Sequence, residues 1–496
     1  MKFFLTISII YILTTIIYPF VLRINEPGLK SLGIFTQKWM EKTIKNTTFS
    51  PYSHKINKGI ASGQITLSNV TVSNFLPPGI VYRPYDGGFL EMISSNGKGD
   101  IAADWDIFSE YLAYLKFPLK GKVYGNVSGL KSEVSIKINH EKNFIIHQCS
   151  AHFTTFDLKL SGSFAANVLH FFRDVIAKAL KRRGEEYYCQ LVKESLVPWL
   201  KSEIIRLPEF FEFNYDGKVS ISQSLTHIDT SDRFLDLVMN NKIYSSSGSI
   251  IETVSPLPLR SYNNTPIPVR MMEVFVSEQT IQEVMTSAHM AGQFKSNFTS
   301  PFLRTDCDGL CLGILLPGLK NEVGSTQLRI FVRSTIPPII RLQNQKALML
   351  LNVSLEIYQN EPFEIEEIGT DIEDNVISDI SSIFSTSPID YSVLSINIHC
   401  EADLQLRISE KKLRGEVGIR ESRAQLKENK FSEMGQQTVD LIVNMSLPFL
   451  EDAIYGFLEN GLDISEIIKI PSSNEAILIQ QGFVHILADL EMYKGN

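Results

Sequence analysis

The chain has 496 residues, 44% of them apolar and 21% charged, with a formal net charge of −8. Such a composition excludes extended disorder, and at this length it predicts two to four domains that each bury a core. Residues 1–250 hold 28 Lys and Arg against 22 Asp and Glu, a net of +6, and the remainder holds 19 against 33, a net of −14; neither half has the dense basic character of a nucleic-acid binder.

The N-terminus reads "MKFFLTISIIYILTTIIYPFVLR", one Lys and an uncharged apolar run before Arg23. This is the layout of a secretory signal over residues 1–23, and it predicts a secreted, extracellular protein. The run is also just long enough to span a bilayer, so an uncleaved N-terminal membrane anchor is the alternative. Asn-x-Ser/Thr sequons at Asn46, Asn69, Asn126, Asn263, Asn297 and Asn352 are glycosylation candidates, with a further one at Asn444 in an apolar stretch. Five cysteines in an oxidising compartment leave at least one without an intramolecular partner.

A helix is expected roughly from Gln37 to Asn46. Strands follow, because "GQITLSNVTVSNF", "KVYGNVSGLKSEVSIKI" and "FTTFDLKLSG" alternate apolar and polar residues. Next comes a long helix, "NVLHFFRDVIAKALKRRGEEYYCQLVKESLVPWL", with Val168, Phe172, Val175, Ile176 and Ala179 on one stripe. Residues 246–268, rich in Ser and Pro, read as a linker between two domains, 24–245 and 269–496. The second half repeats the plan with "TQLRIFVRST", "ALMLLNVSLEIY" and "SVLSINIHCEADLQLRI". "SEIIRLP" at 202–208 returns as "SEIIKIP" at 465–471, near the end of each half, and favours an internal duplication. The fold class is α+β, with strands that expose one apolar face and a long helix in each half to cover it.

No catalytic constellation emerges. The nine His lack metalloprotease spacing, and no nucleophile elbow or phosphate-binding loop is present. Cys307 and Cys311 are too isolated for a structural zinc site, and read as a local disulfide or two separate thiols. Cys400 lies in an alternating strand and reads as a core position. Cys149 ends a strand and Cys189 sits on the long helix. A disulfide between them would pin helix to sheet, and the acidic surroundings of Cys189 argue against a reactive thiol. No metal and no cofactor are expected, and no enzyme activity.

The strand and helix cysteines at this spacing, the "FFRDVIAKALKRR…YYCQLV…LVPWL" helix and the "IIRLP" exit resemble the lipid-binding serum glycoprotein family. Bactericidal/permeability-increasing protein, lipopolysaccharide-binding protein and the phospholipid and cholesteryl ester transfer proteins are its members. "NEPGLKSLGIFTQKWMEK" is similar to the family's opening, and "VFVSEQTIQEVM", "LPGLKNEVGSTQLRIFVRSTIPPII" and "GFVHILADLEMY" are similar to its second domain.

The resemblance implies two similar barrels joined by a central sheet and a Pro-rich linker, boomerang-shaped. Each barrel would hold an apolar pocket for phospholipid acyl chains. It makes Ile34, Trp39, Ile44, Val168, Phe172, Val175, Ile176 and Ala179 pocket candidates in the first half. In the second half it adds Val274, Ile281, Val284, Leu441, Leu450 and Ile454. Three departures stand out: the opening helix is short, an acidic stretch "NEPFEIEEIGTDIEDNVISDISS" interrupts the second domain, and the first-domain hairpin "DWDIFSEYLAYLKF" carries Asp104, Asp106 and Glu110 where lipopolysaccharide binders carry cations. The expected partners are phospholipid and a transient membrane or lipoprotein surface. Bacterial lipopolysaccharide is the alternative ligand, read by a cationic patch that Lys55, Lys58, Arg83, Lys98, Lys120 and Lys122 would have to supply. An interaction glycoprotein without lipid cargo is the third reading.

Overall fold

A computed structural model describes residues 20–56, 63–109, 119–139, 142–162, 166–206, 213–215, 219–245, 248, 250–253, 269–307, 309, 311–315, 317–359, 392–429, 435–459, 462–463 and 472–490. The first half runs β1 (Phe20–Asn25), α1 (Glu26–Lys45), β2 (Tyr52–Ile56), β3 (Gly63–Leu76), β4 (Gly79–Tyr85), β5 (Phe89–Ser109), β6 (Leu119–Ile138) and β7 (Phe144–Gly162). The long helix α2 (Ala166–Leu191) follows, then a π-helical turn (Val192–Leu196), α3 (Val197–Arg206), β8 (Phe213–Tyr215), β9 (Val219–Thr230), β10 (Phe234–Ser245) and β11 (Ile250–Thr253). Pro198 lacks the N–H that would bond back one α-turn, and the widened turn just before it lets the helical path continue.

The second half runs β12 (Met272–Ser277), α4 (Glu278–Met290), β13 (Lys295–Arg304), the short α5 (Leu312–Leu315) and α6 (Pro317–Val323), β14 (Gln327–Ser334), β15 (Ile339–Gln343) and β16 (Lys346–Gln359). It closes with β17 (Ser392–Ser409), β18 (Lys412–Asn429), α7 (Gln436–Glu459), β19 (Leu462–Asp463), β20 (Ser472–Gln480) and β21 (Phe483–Leu490).

Three antiparallel sheets result. The first-half sheet has the order β2-β3-β5-β6-β7 with β4 paired to β5, and the second-half sheet β13-β14-β16-β17-β18-β19 with β15 paired to β16. Each is a curled half-barrel, and the short strand hangs off the same neighbour in both. A central sheet, β20-β21-β12-β1-β10-β9-β8 with β11 on β10, joins them. It is symmetric about the β1–β12 pair, for each half contributes its opening strand and its closing hairpin. The α+β class and the two-barrel plan are thus observed, and the matched strand orders agree with the duplication read from "SEII".

β1 lies mid-sheet, and all six of its residues are buried. Arg23 is among them, so its charge needs a partner. Its Nε and Nη2 donate to Asp236 on β10 at 2.8 and 2.9 Å, and its guanidinium lies 3.5 Å from the Phe234 ring centroid. Across the seam Asn25 donates to Glu273 on β12 at 2.7 Å, and Glu273 meets His485 Nε2 on β21 at 3.1 Å. A buried polar row therefore crosses from the first half to the second.

Three boundaries differ from expectation. β1 begins at Phe20, inside the segment 1–23 read as a leader, so Phe20–Arg23 are part of the central sheet. β11 pairs with β10 from Ile250 to Thr253, inside the stretch read as linker, while 254–268 lie outside the described residues. The opening helix is long, not short: it starts at Glu26, with Pro27 in its first turn. Proline is pre-organised there because its missing N–H would be unbonded anyway. Gly28 and Gly33 are contact points. A Cβ on either would collide with the carbonyl oxygen of Met271 or Ile80, so glycine lets α1 lie directly on the sheet backbone.

Candidate functional site

α2 crosses the inner face of the first-half sheet and is held there by three devices. Cys149 on β7 is bonded to Cys189 on α2, with Cα atoms 5.9 Å apart. The Tyr188 hydroxyl lies 2.9 Å from both the Ser94 and Ser132 hydroxyls, on β5 and β6; burial pushes its pKa up. The Glu185 carboxylate accepts from the Phe153 N–H at 3.2 Å. The loop after α1 closes over one side, with the Phe49 and Tyr187 ring centroids 5.0 Å apart. Beside it, Trp39 of α1 stacks on Trp199 of α3 at 5.3 Å.

Between α1, α2 and the sheet lies a cavity of about 390 Å³. That is a ligand-sized void, and native cores hold few voids larger than a water molecule. Its floor is buried and aliphatic, made of Met40, Leu67, Val127, Leu130, Leu180 and Leu191. Phe49, Tyr52, Phe75, Phe153 and Tyr187, all partly buried, form a middle layer, and Thr48, Ser50, Lys98 and Gln190 make an exposed rim. Arg183 is half-buried in the wall, its guanidinium 5.2 Å from the Tyr52 ring centroid. Among the described residues no carboxylate lines the cavity. The arrangement suits a ligand that is apolar along most of its length and polar at one end.

Local backbone geometry decides which residues face inward. On β3, Asn69 and Asn74 adopt φ of 48° and 49° at the two register shifts between β3 and β5. Each bulge reverses the strand's alternation, so Leu67, then Val70 and Val72, then Phe75 reach the cavity. The side-chain amides of Asn69 and Asn74 donate to Asp104 and Asp100 on β5 at 2.8 Å.

Of the first-half candidates, Ile44 lines the cavity. Ile176 and Ala179 are buried, Ile176 with Ile65, Leu67 and Trp105, and Ala179 does not line the cavity. Ile34 is 47% exposed on the outer face of α1 and Trp39 is in the α1–α3 stack, so neither lines it. The side chains of Val168, Phe172 and Val175 lie outside the described residues, although α2 spans them. In the second half, Val274 is buried in the central sheet, Ile281 packs on the main core, Val284 packs on Val219 and Ile243, and Leu441 is 46% exposed. Leu450 and Ile454 have side chains outside the described residues.

Cys307 and Cys311 are joined in the turn after β13. Cys400 is a free, buried thiol on β17, opposite Leu351, and burial pushes its pKa up to about 11. Asn46, Asn69, Asn126 and Asn297 are exposed and Asn352 is half-buried; Asn263 lies outside the described residues. In the acidic hairpin Asp104 sits opposite Lys122 and Asp106 opposite Lys120 on β6, while Glu110 is not described. Neither is the acidic stretch of the second domain. Among the described residues no helix is long and apolar enough to cross a membrane.

The family model described as the LBP/BPI/CETP family, C-terminal domain, matches residues 216–373 and 382–492. No curated protein sequence matches the chain. Among solved structures, lipopolysaccharide binding protein aligns over 96% of this chain and 100% of its own, with a TM-score of 0.52 and 15% identity. P47 of Clostridium botulinum A2 aligns over 96% and 98% with a TM-score of 0.31 and 8% identity, and P47 of C. botulinum E1 over 96% and 99% with 0.30 and 9%. The first of these likenesses is one of fold; the two P47 scores are too low to support an argument.

Proposed function

Since the chain belongs to the LBP/BPI/CETP family of lipid-binding proteins, we propose that the cavity under α1 and α2 holds phospholipid acyl chains and that the protein is a secreted lipid carrier. The observation that supports this most directly is the gradient from buried aliphatic floor to exposed polar rim. Each methylene that leaves water for such a floor contributes about 0.8 kcal/mol, while the headgroup stays at the mouth. The family's members bind and transfer lipid, are not enzymes, and are secreted; by this reading the chain shares those properties. The matched strand orders of the two halves support a counterpart site in the second half, under α4 and α7.

The lipopolysaccharide reading gains no support from the β5–β6 hairpin. A cationic tip needs Lys or Arg free to meet phosphates, and there Lys120 and Lys122 face aspartates across the ladder.

Ile101 on β5 also lines the cavity, so Ile101→Trp places an indole there and tests the proposal. Displacing two methylenes at about 0.8 kcal/mol each costs about tenfold in affinity. The variant should therefore take up about tenfold less labelled phospholipid from vesicles than the parent chain, with an unchanged far-UV circular dichroism spectrum. Equal uptake by the two would remove the cavity from the account.

A further inference from the structure

Among the described residues the cavity wall carries two positive charges and no negative one. Arg183 and Lys98 both line it, Arg183 from α2 and Lys98 from β5. The acids near Arg183 along α2 are engaged elsewhere. Glu186 is paired with Arg182, Glu185 with the Phe153 N–H and His152, and Glu194 accepts from Gln190. Among the described residues neither Arg183 nor Lys98 has a carboxylate partner within ion-pair distance. Arg183 instead stands over the Tyr52 ring, its guanidinium 5.2 Å from the ring centroid.

Such an arrangement has a preference built in. A phosphate that enters the mouth meets a guanidinium and an ammonium, the groups that recognise it best. A choline or ethanolamine headgroup brings its own cation, and among the described lining residues no carboxylate is present to receive it. We propose that Arg183 and Lys98 make this cavity select glycerophospholipids with a net-negative phosphate headgroup over zwitterionic ones. The inference rests on the reading of the cavity as an acyl-chain site.

Vesicles containing equal amounts of phosphatidylglycerol and phosphatidylcholine with identical acyl chains provide the test, since both lipids then share one docking surface. The protein is incubated with them and separated, and its bound lipid is extracted and identified by mass spectrometry. The expected result is about tenfold enrichment of phosphatidylglycerol, a difference of about 1.4 kcal/mol. The enrichment should vanish in the Arg183→Gln/Lys98→Gln double variant, read as the ratio of the two lipids among those bound. Arg183→Lys, which keeps the charge, should retain most of it; a role confined to packing would be lost in both variants together with total lipid. Equal amounts of the two lipids on the parent chain would overturn the selection and leave lipid carriage standing. A parent chain that binds neither would overturn carriage and selection together.

Discussion

At Asn69 the backbone of β3 enters the left-handed region, which costs a β-branched residue about 1–2 kcal/mol and asparagine far less. The side chain adds a bond to Asp104. Asn69→Val should therefore lower unfolding stability by about 2 kcal/mol, measured as a shift in the urea midpoint, and a variant as stable as the parent would show that the bulge is unimportant. These two asparagines also explain what was illegible at this scale. "GQITLSNVTVSNF" reads as one alternating strand, and an unbroken period of two assigns Val70 and Val72 to the face opposite Leu67. A bulge leaves almost no compositional mark, so the inward turn of Val70, Val72 and Phe75 could not be read. The stripe on α2 was readable further than Ala179, because Leu180, Tyr187 and Leu191 continue the helical period that Ile176 begins.

At the scale of elements, α2 is the wall of the cavity, and Tyr188, Gln190 and Leu191 beside Cys189 all line it. The bridge to Cys149 closes a loop of 40 residues. Replacing both cysteines by serine should cost about 3–4 kcal/mol by the loop-entropy estimate. In a non-reducing buffer the parent should then unfold at higher denaturant than the double variant, and the gap should close when the parent is reduced. Coincident transitions before reduction would mean that the bridge is incidental to the wall. The helix, the cysteines and the strands that carry them were legible because length and periodicity mark them. The start of α1 was not, because glycine and proline signal a break in the sequence, whereas here they serve close packing and a first turn. The exposed positions of Ile34 and Leu441 show the same limit: an apolar residue on a helix does not announce which side its neighbours occupy.

At the scale of the whole molecule, the two halves meet across β1 and β12, where Arg23, Asp236, Asn25, Glu273 and His485 form the buried row. Burial alone would raise the Glu273 carboxyl, but its bonds to His485 and Asn25 and the nearby charge of Arg23 outweigh that and hold it below the usual carboxylate value of 4.5. A carboxylate lowered in the folded state contributes stability that is fully present above its unfolded pKa and lost as pH falls through the folded one. Glu273→Gln should accordingly melt at a lower temperature than the parent at pH 7, and the difference should shrink as pH falls below 4.5. A difference that stays constant with pH would assign the loss to packing rather than charge. The doubled plan was legible from "SEII" and from two matched runs of strands, but the seam was not. Its partners are separated by more than two hundred residues, Arg23 from Asp236 by 213 and Asn25 from Glu273 by 248, and no local pattern links them.

By the proposal above, this fold encloses lipid. Native mass spectrometry of the protein purified from a secreting cell, followed by extraction and identification of whatever it carries, tests that claim most directly. Phospholipid bound to the chain is the expected result, with the adduct from the first-half cavity reduced about tenfold in Ile101→Trp. A chain that emerges free of lipid and takes up none from vesicles would contradict it.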